Sequence, residues 1–239
     1  GDTTFTGIIS GAFGITKNGN GTVILAPTSG TGNTNTSAGT TTVSGGTLQG
    51  NAQATSGSPF GVNTPFAVSN GTLKLQGLAA PAANSNTASS GALGFTDFGG
   101  GKVAVNDVAA DTFNTQFTFG SLNRTNSNVV TFVGERTGIT ATAGEERINF
   151  TTAPGVANGT LGVWAVGTGG GSNAAHYVSV DGSNNIVTAT YAGAAADLDG
   201  STLATNLWDA TGFGGTLTGN RAAYGVRTDT AIALGGNVL

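Results

Sequence analysis

The chain has 239 residues, a formal net charge of −4, no Cys, and only 8% charged side chains. These figures exclude a disulfide framework and a thiolate metal site, and the few scattered basic residues argue against a nucleic-acid partner. Glycine supplies 42 residues, more than twice the usual share of ~7%. Long helices are therefore not expected, while the Thr, Val, Ile and Phe content favours strands. The low net charge and the apolar content argue against disorder. No run of ~18 apolar residues is present to cross a bilayer as a helix. Residues 1–25 lack the basic start and apolar run of a signal peptide. Met is absent, including at position 1, so the chain is expected to be a processed or excised piece.

In chain order, Thr3 to Ile9, Ile15 to Lys17 and Thr22 to Leu25 read as strands, with Asn18-Gly19-Asn20-Gly21 as a turn. Residues 28–40 read as a loop. Strands return at Thr41 to Val43 and Thr47 to Gln49, split by Ser44-Gly45-Gly46, and residues 50–64 read as loop again. Phe66 to Val68 and Thr72 to Leu75 follow, split by Ser69-Asn70-Gly71. The triplets Gly21-Thr22-Val23, Gly46-Thr47-Leu48 and Gly71-Thr72-Leu73 recur every 25 residues. Two apolar runs split by a short Gly turn suit a β-hairpin locally. The fixed period suits a β-solenoid, in which each repeat stacks on the last, and this second arrangement is favoured.

Residues 79–100 read as a loop-rich insertion. Beyond 101 the beat weakens. Thr112 to Phe119 alternates as a half-buried strand. Asn128 to Val133, Arg147 to Thr152, Leu161 to Val166, His176 to Val180 and Ile186 to Tyr191 are further strand candidates. Ala192 to Leu207 is the one segment with a helical pattern, weakened by Gly193 and Gly200. The chain thus divides into regular coils over 1–78, the insertion over 79–100, and a less regular β region over 101–239, with no linker between them. Nine or ten coils at ~4.8 Å spacing would give a rod roughly 45 Å long, and neither end looks capped. The expected core comprises Ile15, Val23, Leu25, Val43, Leu48, Phe66, Val68, Leu73 and Leu75.

The stretch Asp2 to Gly11, then Gly14-Ile15-Thr16-Lys17-Asn18-Gly19-Asn20-Gly21-Thr22-Val23, then Gly39-Thr40-Thr41-Thr42-Val43-Ser44-Gly45-Gly46-Thr47-Leu48-Gln49 resembles one unit of the autotransporter-associated β-strand repeat. That repeat occurs in the passenger regions of large bacterial surface proteins. Arg147 to Pro154 and Asn158 to Ala165 are similar to the spacers between such repeats. The 31–38 loop departs from the pattern, and no membrane-barrel segment is present. The resemblance implies an all-β, right-handed parallel β-helix, export to the bacterial cell surface or beyond, and a structural or adhesive role without catalytic residues.

The sequence carries few residues suited to chemistry. His176 is the only histidine. Ser179 and Asp181 lie near it in sequence, but no nucleophile turn accompanies them, so it reads as a strand-end histidine. Paired carboxylates could act on a glycan. The candidates are Asp97, Asp107, Asp111, Asp181, Asp197, Asp199 and Asp209, and only Asp197 and Asp199 are closely spaced. They read as a turn rather than a calcium loop. Glu145-Glu146-Arg147 reads as a solvated turn. Lys74, Lys102, Arg124, Arg136 and Arg147 are too dispersed for a polyanion groove. Gly99 to Lys102 lacks the remaining residues of a phosphate loop, and Gly167 to Gly171 reads as a turn. Trp164 and Trp208 are the candidate glycan contacts.

These readings converge on a rod-like, structural or adhesive β-solenoid, exported and extracellular. It is expected to be no enzyme and to need no metal or cofactor. Its expected partners are other copies of itself stacked head to tail, adjoining repeats of a parent protein, or surface glycans. The alternative is a carbohydrate-binding or polysaccharide-active β-helix.

Overall fold

The computed structural model describes residues 1–27, 34–52, 58–78, 86–89, 91–95, 99–108, 115–126, 128–136, 139, 146–169, 172–192, 204–229 and 231–238, without the side chains of 86–89, 169 and 172–174. Among these residues the chain is all-β and holds no helix. It is a parallel β-solenoid. One sheet runs the length of the coils, through Thr3–Phe5, Thr22–Leu25, Thr47–Asn51, Thr72–Gln76, Gly101–Asn106, Val130–Gly134 and Ala165–Gly169, each strand parallel to the one before. A second sheet stacks Thr16–Lys17, Thr41–Val43, Phe66–Val68, Leu93–Phe95 and Leu122–Arg124. A third stacks Asn86–Ser89, Thr115–Phe119 and Glu146–Phe150.

The hairpin arrangement is excluded by these pairings. Thr41–Val43 and Thr47–Asn51 do not pair with each other, but each pairs with its counterparts one coil away. The Gly turn between them is a corner, not a reversal. Gly46 shows why glycine recurs there. Its φ is +60°, and a Cβ would run into the carbonyl oxygens of Gly19 and Gly21 in the coil beneath and the Lys17 ammonium. Lys17 is itself buried, and its Nζ donates to the carbonyls of Asn18, Gly19 and Gly45 at 2.8–3.0 Å. It thereby ties the first corner to the second.

The core is a set of ladders, one inward side chain per coil. Val23, Leu48, Leu73, Val103, Phe132 and Gly167 are in register, at steps of 25, 25, 30, 29 and 35 residues. Leu48, Leu73, Val103 and Phe132 are fully buried. Leu25, Gly50, Leu75 and Val105 form the neighbouring ladder. At Gly50 the missing side chain makes room for the ring of Phe60, which a Cβ would meet at 2.5 Å. Phe60 stacks on Phe117 at 5.2 Å between centroids and meets Phe66 edge-on at 5.4 Å. Phe119 and Phe150 continue this aromatic column. Each such ring contributes about 1.5–3 kcal/mol by leaving water, and each aromatic pair roughly 0.5–1.5 kcal/mol more. Of the expected core, seven residues are buried and Ile15 and Val23 pack half-buried against it.

Several expectations need correction. The 79–100 stretch carries two strands, Asn86–Ser89 and Leu93–Phe95, that continue the solenoid. The coils persist through Gly169 but lengthen, and the ladder keeps its register across the longer steps. Seven parallel strands give six steps, roughly 29 Å at ~4.8 Å each, rather than 45 Å. The downstream end is capped. Ser172–Val180 turns back and pairs antiparallel with Ala165–Gly169, and Ile186–Thr188 pairs antiparallel with it in turn. Val178 of this capping strand fills the ladder position left open at Gly167. Beyond it a small C-terminal lobe pairs Leu207–Asp209 with Gly225–Arg227 in parallel over its own core of Trp208, Ala210, Phe213 and Leu217. Most of the helical expectation at 192–207 lies outside the described residues, and its last residue, Leu207, begins this strand.

Candidate functional site

A cavity of about 430 Å3 opens where the capping strand meets the C-terminal lobe. Its lining comes from three places: Val166 on the last solenoid strand; Ala175, His176 and Tyr177 on the capping strand; and Thr211, Val226, Arg227, Thr228 and Asp229 in the lobe. The walls are cross-tied. Arg227 Nε donates to the Ala175 carbonyl at 2.7 Å, and Arg227 Nη1 pairs with Asp209 Oδ2 at 2.7 Å. The Tyr177 hydroxyl donates to the Val226 carbonyl at 3.3 Å, and the Tyr191 hydroxyl accepts from Tyr177 N at 3.0 Å. Asp209 also accepts from the Thr211 amide and hydroxyl. Asp229 Oδ1 accepts from Gly212 N at 2.8 Å.

The electrostatics of this cluster follow from burial and pairing. Burial lowers the His176 pKa below its usual value, the Arg227 charge lowers it further, and Asp209 opposes both. Its Nδ1 is buried and has no partner among the described residues. Burial alone would raise the Asp209 pKa, but hydrogen bonds from Thr211 and the charge and hydrogen bond of Arg227 outweigh it and hold the carboxyl below the usual range. Burial raises the pKa values of Tyr177 and Tyr191.

The residues singled out in the sequence fall in scattered places. His176 and Asp209 both belong to this cluster, although 33 positions separate them. Ser179 and Asp181 do not join His176 in a triad. Burial alone would raise the Asp181 pKa, but bonds from Asn185 and Ser183 and the Arg147 charge outweigh it and hold the carboxyl low. Asp107 is buried and pairs with Arg136 at 3.0 Å. Glu146 is also buried rather than solvated, and its Oε1 accepts from the amides of Asp107 and Arg136 at 3.2 and 2.8 Å. This polar cluster is a structural corner between the long sheet and the third sheet. Lys74 pairs with Glu135 across two coils at 2.6 Å. Lys102 lies at an open corner beside Asn70 and Gly100. Asp97, Asp111, Asp197, Asp199 and Glu145 lie outside the described residues, as do Gly170 and Gly171.

Trp208 is 8% exposed and forms the heart of the lobe core. Trp164 is half-buried against the solenoid core, with the Arg124 guanidinium 4.6 Å over its ring. Neither lines the cavity. Tyr177, Arg227, Thr211 and Asp229 escaped the sequence reading because no motif links them. They meet only once the capping strand has turned back over the solenoid end.

Among the described residues, no group of three or more His, Asp or Glu residues is placed to hold a metal ion. No helix there is long and apolar enough to cross a membrane. No family model, curated protein or solved structure matches this chain.

Proposed function

We propose that this chain is a rod-like structural or adhesive segment of an exported bacterial surface protein or extracellular fibre, and that it does not act as an enzyme. The observation that carries this reading is the parallel ladder of seven strands, with its continuous apolar core and corner glycines. A solenoid of this kind transmits force along its axis through backbone hydrogen bonds between coils. Its charge-poor Thr, Ser and Asn surface offers few trypsin-type cleavage points. The resemblance of residues 2–49 to the autotransporter-associated repeat supports the surface location, and those residues do form coils and corners in the expected places.

The two ends differ in what they offer a partner. The antiparallel strand Ser172–Val180 occupies the downstream edge, which opposes continuous parallel stacking of copies there. At the upstream end, Thr3–Phe5 pairs with one strand among the described residues, and Phe5, Ile8 and Phe13 of the first coil are exposed. The partner is therefore an adjoining repeat, or another copy, meeting that upstream face. Antibody raised against the folded chain should label intact source cells, and negative-stain electron microscopy of the native material should show the epitope on thin rods. Labelling only after permeabilisation, or compact particles without a rod, would contradict the reading.

The carbohydrate-binding alternative keeps one supporting observation, the cavity beside the cap.

A further inference from the structure

We infer that the cavity between the capping strand and the C-terminal lobe binds a neutral pyranose, such as the terminal sugar of a surface glycan. This inference deepens the adhesive half of the function proposed above and rests on it. Three features of the site point the same way.

The first is construction. The cavity is assembled from three separate elements and held open by bonds that cross between them, from Arg227 to Ala175 and from Tyr177 to Val226. Its volume of about 430 Å3 falls within the ~300–1,000 Å3 usual for small-ligand sites, which favour junctions between structural units.

The second is the chemistry of the lining. Val166, Ala175, Val226 and the Tyr177 ring supply apolar surface for the C–H face of a sugar. Arg227 and Asp229 supply a donor and an acceptor. Arg227 bonds through Nε and Nη1, and Asp229 through Oδ1. Arg227 Nη2 and Asp229 Oδ2 thus make no bond among the described residues. Such a pair suits neighbouring hydroxyls, each of which can both donate and accept.

The third is charge. The Arg227 cation is already balanced by Asp209. Asp229 adds a further negative charge, and burial disfavours a charged His176. The titratable groups around the cavity are therefore neutral or net negative near pH 7, which disfavours phosphate, sulfate and uronate ligands.

The chain contains a single histidine, so its imidazole proton resonances report on this cavity without ambiguity. The test is titration of the intact chain with glucose, galactose, mannose and N-acetylglucosamine up to about 50 mM. Binding by so small a ligand is expected in the millimolar range. At least one of these sugars should shift the His176 resonance saturably, and glucuronate should bind more weakly than glucose. Asp229→Ala should weaken binding about tenfold, and Thr211→Ala should weaken it less. Asp2→Ala, at the far end of the solenoid, should leave it unchanged. The inference is overturned if no neutral pyranose moves the His176 signal, if glucuronate or a quaternary amine binds in its place, or if Asp229→Ala has no effect. Any of those results leaves the rod reading standing, because surface labelling and microscopy test that separately.

Discussion

The solenoid and the C-terminal lobe are both parallel β structure, yet they are stabilised on different scales. The coils share one core that runs from Leu25 to Ile186 and includes a column of five phenylalanines in stacked, tilted or edge-on contact, several fully buried. Among the described residues, the lobe has two three-residue strands over four buried side chains. In the solenoid each inward residue is supported by the coils on either side, so its stability is spread along the axis. The lobe has no such neighbour. It is held to the cap by the Arg227–Ala175 and Tyr177–Val226 bonds, and these same bonds frame the cavity. On the functions proposed above, stiffness belongs to the coils and recognition to the junction at their end.

Changes to the shared core should have the largest effect. Phe117→Ala should destabilise the solenoid by about 3–5 kcal/mol, read as a lower urea midpoint for the main transition. Phe213→Ala should remove the lobe and leave that main midpoint unmoved. If both substitutions shift one common transition equally, the two regions are not separate in stability.

A polar change at the corner comes next. Glu146→Ala leaves the buried amide of Asp107 and the part-buried amide of Arg136 without their shared acceptor. A loss of about 2–3 kcal/mol is expected in the same urea assay. Gly46→Ala should cost about 1–3 kcal/mol, because it combines a positive φ with contact against the first corner. Hydrogen exchange should show that loss concentrated in the first coils.

The smallest expected effect is on pH dependence. Asp209 has a depressed pKa in the fold, so its contribution is present above the unfolded value near ~3.9 and is lost as pH falls through the folded value. His176 is also depressed. The unfolded chain therefore takes up that proton more readily below ~6.5, which favours unfolding. The lobe midpoint should fall slightly as pH drops below 6.5 and again below about 4. A lobe that gains stability on acidification would contradict this pairing of charges.

Much of the solenoid was legible because its corners obey a local rule. Gly46-Thr47-Leu48 and Gly71-Thr72-Leu73 mark where a corner ends and an inward residue begins, and they are in register one coil apart. Beyond Gln76 the same ladder continues through Val103 and Phe132, but the loops between change length. The triplet no longer marks the beat, so Leu93–Phe95 and Gly101–Asn106 went unread. The cap was hidden for a different reason. His176 to Val180 alternates like any other strand, and nothing in it says that the chain has reversed direction. The cavity was least legible, since His176, Arg227 and Asp229 acquire a common setting only through that reversal.

Neighbours in the core are one coil apart, not one turn apart. The chain contains no Cys, so paired cysteines can report on this directly. Gln49 and Lys74 are in register on adjacent coils, within the ~4.4–6.8 Å Cα separation that a disulfide tolerates. Thr41 and Gln49 would face each other only in a hairpin closed by Ser44-Gly45-Gly46. Mild oxidation of the Gln49→Cys/Lys74→Cys variant should give a rapid intramolecular cross-link, and the Thr41→Cys/Gln49→Cys variant should give none. The reverse outcome would replace the solenoid with stacked hairpins.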